Sequence, residues 1–376
     1  MKRIPQLDGL RGIAILLVLI WHYYVVLHLS GENNVHAVLK TLFSLSWSGV
    51  DLFFVLSGFL IGGSLLDNRN TQNLYPVFYT RRFFRIVPLY VILLIPFAVI
   101  SLSGIWNDWP GMSWLFKNPM PLFSYATFTQ NFYMISAQHF GPQWTGVTWS
   151  LAVEEQFYLV IPFLIRIIPE KRLPYFFIIG IFVGILSRLT FRFLFDSQYA
   201  SYLLLPGRMD ALLLGVLVAW IIRKPILIKH FHENKWFLNS SLIVLGTGIL
   251  LFSLLRTSAG TILIVTIGAT WISLFYAILI LVSVTKASPL LDKFFSWKPL
   301  RMLGLVSYFV YLFHLVFLGL CHALIQQRIP QNNAFSDYGV TLLALVITLS
   351  AAALSYRFLE QPMLEYAHRV KYKAKS

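Results

Sequence analysis

Cysteine is almost missing from this chain: Cys321 stands alone, inside an apolar run. Within one chain that excludes a disulfide framework and a thiolate metal site. Charge is scarce too, at 12% of residues, where soluble domains hold about 25%. The sequence contains no His-Glu-x-x-His, no Walker loop, no Gly-x-Ser-x-Gly and no dinucleotide fingerprint. No metal, ATP or nicotinamide is therefore expected. There is also no internal repeat, no Gly/Ser linker and no hydrophilic block, so residues 1–376 are read as one domain.

What is abundant is apolar. Hydrophobic residues make up 57% of the chain, and the mean hydropathy is +0.70. Apolar runs fall near residues 10–29, 46–66, 86–105, 149–168, 174–195, 203–222, 237–255, 261–284, 305–325 and 338–358. Each has about the 20 residues that a tilted spanning helix needs. The expected fold is an all-α, polytopic membrane helix bundle of about ten transmembrane helices. The N-terminus has a signal peptide's charge order, but residues 12–29 run long and lack a small-x-small cleavage site, so an uncleaved first span is expected. A net charge of +15 would suggest nucleic acid in a soluble protein. Here positively charged cytoplasmic loops explain it. With the N-terminus inside, 23 lysines and arginines fall on the inner side and 7 on the outer. Both termini are then cytoplasmic, and no nucleic-acid partner is expected.

Several polar residues interrupt this pattern. Arg11 and His22 share the first apolar run, eleven positions apart. Eleven steps of about 100° return almost to the starting face, and the two sit roughly 16 Å apart along one helix. Ionisable groups in a bilayer cost about 2.5–3.5 kcal/mol on insertion scales, which makes them functional candidates. An arginine near the cytosol with an imidazole below it would bracket a long, phosphate-headed molecule. Each alone has a plainer reading, as an anchor or as a hydrogen-bonded core histidine.

Arg82 and Arg85, in Tyr79-Thr-Arg-Arg-Phe-Phe-Arg85, lie three apart and close to Pro88, which is expected to stop the helix. Paired guanidinium forks suit phosphate oxygens; a positive-inside anchor is the alternative. Ser307, Tyr311 and His314 form one polar stripe at i, i+4 and i+7, suited to a substrate or to interhelical hydrogen bonds. Glu154 and Glu155 open the fourth run, and one of them could orient and charge-stabilise His22 as the third member of a triad does. Asp51 and Glu360 are weaker candidates. Arg188, Arg192 and Asp196, at i, i+4 and i+8, suggest a salt-bridged patch before an acceptor contact. Residues 106–148 are rich in aromatics, Trp106, Trp109, Trp114, Phe116, Phe123, Tyr125, Phe128, Phe132, Tyr133 and Trp144 among them, expected either to rest at headgroup level or to form a lid over a sugar.

Taken together, these segments resemble the acyltransferase 3 family of bacterial membrane enzymes that acylate extracytoplasmic glycans. Arg11 and His22 resemble its arginine-ten-residues-histidine pattern, Arg82 and Arg85 its Arg-x-x-Arg, and Ser307, Tyr311, Leu312 and His314 its Ser-x3-Tyr-Leu-x-His. Gly49–Gly58, Trp149–Tyr158 and Glu360–Pro362 also look like family segments. The likeness runs over residues 7–362, leaving 363–376 as a short basic cytoplasmic tail and the chain as a version without an appended esterase-like domain. It implies ten core helices, acyl-CoA (acetyl-CoA first) as a donor rather than a resident cofactor, and a histidine essential for transfer.

The expected function is O-acetyl transfer from cytoplasmic acyl-CoA to a hydroxyl of a cell-surface or lipid-linked carbohydrate, with membrane lipid around the enzyme. His22 is the expected catalytic base, with Glu154 or Glu155 fixing its tautomer. Arg11, Arg82 and Arg85 hold phosphates, and Ser307, Tyr311, His314 and Asp51 support the substrate. A covalent route through His22 or Tyr311 is also open. A transporter or flippase of lipid-linked glycans is the alternative, but paired Gly/Pro interruptions in two matching halves are not found. A scaffolding membrane protein would not need arginines spaced for phosphate.

Overall fold

The computed structural model describes residues 4–27 and 34–374. The charges of Lys2, Arg3 and Lys375, counted above on the inner side, lie outside the described residues. The longer helices are α1 (Pro5–Ile20), which continues as a π turn at Trp21–Val25, α2 (Asn34–Leu42), α3 (Gly49–Asn68), α4 (Leu74–Ser103), α5 (Thr148–Ile167), α6 (Leu173–Phe193) and α7 (Leu205–Ile221). There follow α8 (Lys235–Leu254), α9 (Ala269–Thr285), α10 (Lys298–Leu305), α11 (Ser307–Gln326), α12 (Phe335–Ser355), a π turn at Tyr356–Glu360, and α13 (Gln361–Arg369). No strand occurs among the described residues.

Nine helical stretches among the described residues are long and apolar enough to cross a membrane. The expected fourth span is the 20-residue α5. It is not among the nine, because Glu154-Glu155-Gln156 lower its hydropathy. Pro88 does not stop its helix as expected: α4 runs on through Pro88 and Pro96. Side chains from elsewhere in the chain also donate to carbonyls of this helix. The Tyr308 hydroxyl donates to the Ile86 carbonyl at 2.9 Å, and the Trp144 indole to the Leu93 carbonyl at 3.0 Å.

The chain forms two compact units, each discontinuous in sequence. One comprises residues 1–18, 36–69 and 153–305; the other comprises 19–35, 70–152 and 306–376.

In the first unit α3 and α7 cross at small residues. A side chain at Gly58 would meet the Leu212 backbone, and one at Gly215 the Val55 backbone. Close approach of this kind is how apolar helices gain contact area where lipid gives no hydrophobic drive. Two ion pairs are sealed into the same unit. Asp51 pairs with Arg208, whose guanidinium also lies over the rings of Tyr202 (5.0 Å) and Phe54 (5.6 Å). Arg188 pairs with Asp210 at 3.0 Å and donates further to the Val265 and Gly207 carbonyls and to the Thr270 hydroxyl. All four charged residues are at most 2% exposed.

In the second unit the long connection after α4 folds into short helices at Ser113–Phe116, Leu122–Ala126 and Gln130–Ala137. Its aromatics divide. Phe116, Tyr125 and Trp144 are buried in one ring cluster with Phe97 of α4, whereas Trp109, Phe123 and Phe132 are exposed. The buried three are core, neither headgroup-level rings nor a sugar platform. Burial pushes the Tyr125 phenol up to about 12.

Candidate active site

The π turn is where the second unit becomes chemical. Residues Trp21–Val25 widen the helix by one residue, and the Val26 amide donates to the Trp21 carbonyl. Such bulges recur at functional sites because they free backbone groups and re-aim side chains. Asn332 holds this one from outside. Its side-chain amide donates to the Tyr23 carbonyl at 2.9 Å and its backbone amide to the Leu27 carbonyl at 3.0 Å. The Tyr23 hydroxyl in turn donates to the His314 carbonyl at 2.8 Å. The turn carrying His22 is thereby fastened to α11 and to the segment before α12.

His22 and His314, 292 residues apart in sequence, meet here. Nε2 of His314 lies 3.2 Å from Nδ1 of His22, with ring centroids 4.8 Å apart. The tautomers follow from the hydrogen-bond pattern. Nδ1 of His314 faces two carbonyls, of Val310 at 3.0 Å and Tyr311 at 2.8 Å. Carbonyls only accept, so that nitrogen carries a proton. In the neutral ring Nε2 is then an acceptor, and Nδ1 of His22 must donate to it. A neutral His22 with its proton on Nδ1 has Nε2 as its basic nitrogen. A buried imidazole, His314 at 0% exposure, thus sets the orientation and tautomer of a less buried one.

The polar stripe of α11 is assembled as its spacing predicts. Ser307 and His314 are buried. The Tyr311 hydroxyl donates to the Val147 carbonyl at 3.1 Å and lies 2.5 Å from the Ser150 hydroxyl. Tyr308, one position off the stripe, ties α11 to α4 at Ile86, the residue after Arg85. From Tyr308 to His314 is about 9 Å along the helix. The arginine end of α4 and the imidazole pair are therefore linked through α11 within a single unit. Arg85 lines a cleft with Glu360 whose remaining walls are apolar: Phe84, Pro88, Leu89, Leu359, Met363 and Leu364.

Arg82, three residues before Arg85 on α4, lies in the second unit as well, whereas Arg11, Asp51, Glu154 and Glu155 fall in the first. Arg11 is 3.5 Å from Asp8 on its own helix, with about a quarter of its side chain exposed. Asp51 pairs through one carboxylate oxygen with Arg208 and is 1% exposed, within the core of that unit. The Arg188 patch is corrected. Arg192 pairs with Asp196 at 2.5 Å, as the helical spacing predicts, but Arg188 turns inward to Asp210. Glu154 and Glu155 stand on α5, both partly buried. No cluster of three or more histidine, cysteine or carboxylate side chains suited to a metal occurs among the described residues.

Sequence reasoning missed Tyr23, Asn332, Ser150 and Tyr308. Tyr23 adjoins His22, and Tyr308 adjoins Ser307, so both carried a positional signal. Asn332 carried none, because an asparagine between two spans reads as a turn residue.

Nine apolar helices of spanning length among the described residues make this a multi-pass membrane protein, with a histidine pair inside one of its units. An acyltransferase-domain family model, that of acyltransferase 3, matches residues 4–357, and the chain belongs to that family. Two O-acetyltransferases named OatA, from Staphylococcus aureus strains NCTC 8325 / PS 47 and COL, are each 27% identical to it over 377 residues. The match covers 96% of this chain and 57% of each relative, so the chain spans little more than half their length. No solved structure matches.

Proposed function

We propose that this protein transfers an acyl group, acetyl by preference, from acyl-CoA supplied at the cytoplasmic face to a hydroxyl of an extracytoplasmic carbohydrate. Both termini are cytoplasmic in this reading, and the membrane is the bacterial inner membrane. The observation that carries it is the His22–His314 pair, whose tautomers make Nε2 of His22 a base. Family membership and the O-acetyltransferase relatives support the reaction type.

In the proposed reaction the acceptor hydroxyl gives its proton to Nε2 of His22 as its oxygen attacks the thioester carbonyl. The tetrahedral intermediate collapses, the carbon–sulfur bond breaks, and the departing thiolate takes the proton back from His22. Imidazole suits both transfers because it titrates near neutral pH, and general-base catalysis typically contributes about 10²–10⁴-fold. His314 fixes the tautomer and shares the charge that develops on His22. Arg82 and Arg85 grip the donor's phosphates, and Tyr311, Ser307 and Ser150 form the polar wall beside the histidines. Arg11 is assigned to a donor phosphate, and Glu154 and Glu155 to charge support, on sequence grounds.

The test is mass spectrometry of cell-envelope glycans from cells with the gene, without it, and with His22→Ala. An acetyl mass lost in both deficient strains is expected. Glycans that stay fully acetylated with His22→Ala would remove His22 from the mechanism.

A further inference from the structure

Helix α13 runs back along α4 in a definite register. Arg85 shares its cleft with Glu360, Met363 and Leu364. Phe84 meets Tyr366 edge to face at 5.1 Å. Beyond α13 the chain does not leave the surface but lies across the start of α4. Arg81 donates to the Val370 carbonyl at 2.8 Å, and its guanidinium lies 4.9 Å over the Tyr372 ring. Asn73 donates to the Lys371 carbonyl at 3.0 Å and accepts from the Lys373 amide at 2.8 Å. The Gln72 amide donates to the Lys373 carbonyl at 3.1 Å.

These bonds use the strap's backbone and one ring, not its charged side chains. Lys371 and Lys373 stay exposed. Along residues 72–85 and 360–373 the fold gathers Arg81, Arg82, Arg85, Arg369, Lys371 and Lys373 against the carboxylates of Glu360 and Glu365. A cation that merely obeys the positive-inside rule needs no ordered backbone, since a solvated tail satisfies it equally. Four hydrogen bonds and a cation–π contact that fix the backbone bearing two exposed lysines indicate a geometric requirement. The ligand chemistry that fits is a polyanion with more than one phosphate group.

We propose that the strap Arg369–Lys373 is a second phosphate-binding element of the donor site, specific for the phosphate on the ribose of coenzyme A. This rests on the donor reading above. Arg82 and Arg85 take the diphosphate, and Lys371 and Lys373 take the ribose 3′-phosphate. Asn73 is a positioning residue that acts through the strap backbone.

The experiment uses the full chain in nanodiscs of phosphatidylcholine, with acetyl-CoA and 3′-dephospho-acetyl-CoA as donors. In the Lys371→Ala/Lys373→Ala variant, KM for acetyl-CoA should rise about 5–10-fold, the size expected for losing charge-assisted contacts at a wet site. KM for the dephospho donor should not move, and the loss should fall on KM rather than kcat. Asn73→Ala, which removes no charge, should reproduce the same selective change. Equal effects on both donors, or no effect on either, would overturn the assignment. So would an effect that appears only when phosphatidylglycerol is added, which would make the strap a lipid-headgroup contact. Arg82→Ala/Arg85→Ala separates the two levels of argument: if KM for both donors is unchanged there, the donor reading itself fails.

Discussion

Replacing His314 by alanine isolates what the second imidazole contributes. The ring is fully buried and accepts one hydrogen bond, at 3.2 Å, from His22. Its removal leaves the Nδ1–H of His22 short of that acceptor, an omission worth about 1–3 kcal/mol. If the cost falls on the tautomer that catalysis needs, kcat should drop roughly 5–150-fold, since about 1.4 kcal/mol is a factor of ten. It should fall less than in His22→Ala, which removes the base itself and about 10²–10⁴-fold with it. His314→Gln keeps an acceptor and should retain part of the rate. The assay is initial acetyl transfer at saturating acetyl-CoA, with KM for the donor measured alongside, because the substitution should leave phosphate binding untouched. Full activity in His314→Ala would refute the tautomer argument. A loss equal to that of His22→Ala, with His314→Gln equally dead, would make His314 a proton carrier in its own right.

Asn332→Ala removes the side-chain bond that tethers the π turn at Tyr23; kcat should fall about tenfold for a loss near 1.4 kcal/mol, and amide exchange in Trp21–Val25 should speed up. Breaking the buried Asp51–Arg208 pair with Arg208→Met should destabilise the protein by about 3–5 kcal/mol, whereas the apolar double replacement Asp51→Leu/Arg208→Met should restore most of it. Thermal unfolding in detergent followed by size-exclusion chromatography reads both. The Tyr125 phenol, raised by burial to about 12, favours folding while it stays neutral. That stability is complete below about pH 10 and declines as pH rises from there toward 12, and Tyr125→Phe should remove this alkaline loss from the unfolding profile.

The helical membrane architecture was legible because hydropathy and length decide it almost alone. Pro88 lies inside the 30-residue α4, because a helix packed among apolar neighbours tolerates a proline that would end an isolated one, and that packing is not legible in local spacing. Arg188 was misjudged for a related reason: helical spacing offered Asp196, but Asp210 on another helix offered a buried partner and three further acceptors lay around it. His22 and His314 could each be singled out as ionisable groups in apolar helices. Their pairing could not, since it depends on a π turn and on a contact across 292 residues. The same limit hid Asn332, whose role exists only once the Tyr23 carbonyl has been freed beside it.

The most direct test is a single-turnover reaction in sealed proteoliposomes, with radiolabelled acetyl-CoA on one side of the membrane and an acceptor glycan on the other. The account predicts labelled glycan with the wild-type protein, none above background with His22→Ala, and slow transfer with His314→Ala. Label appearing on the glycan at the wild-type rate with His22→Ala would contradict it.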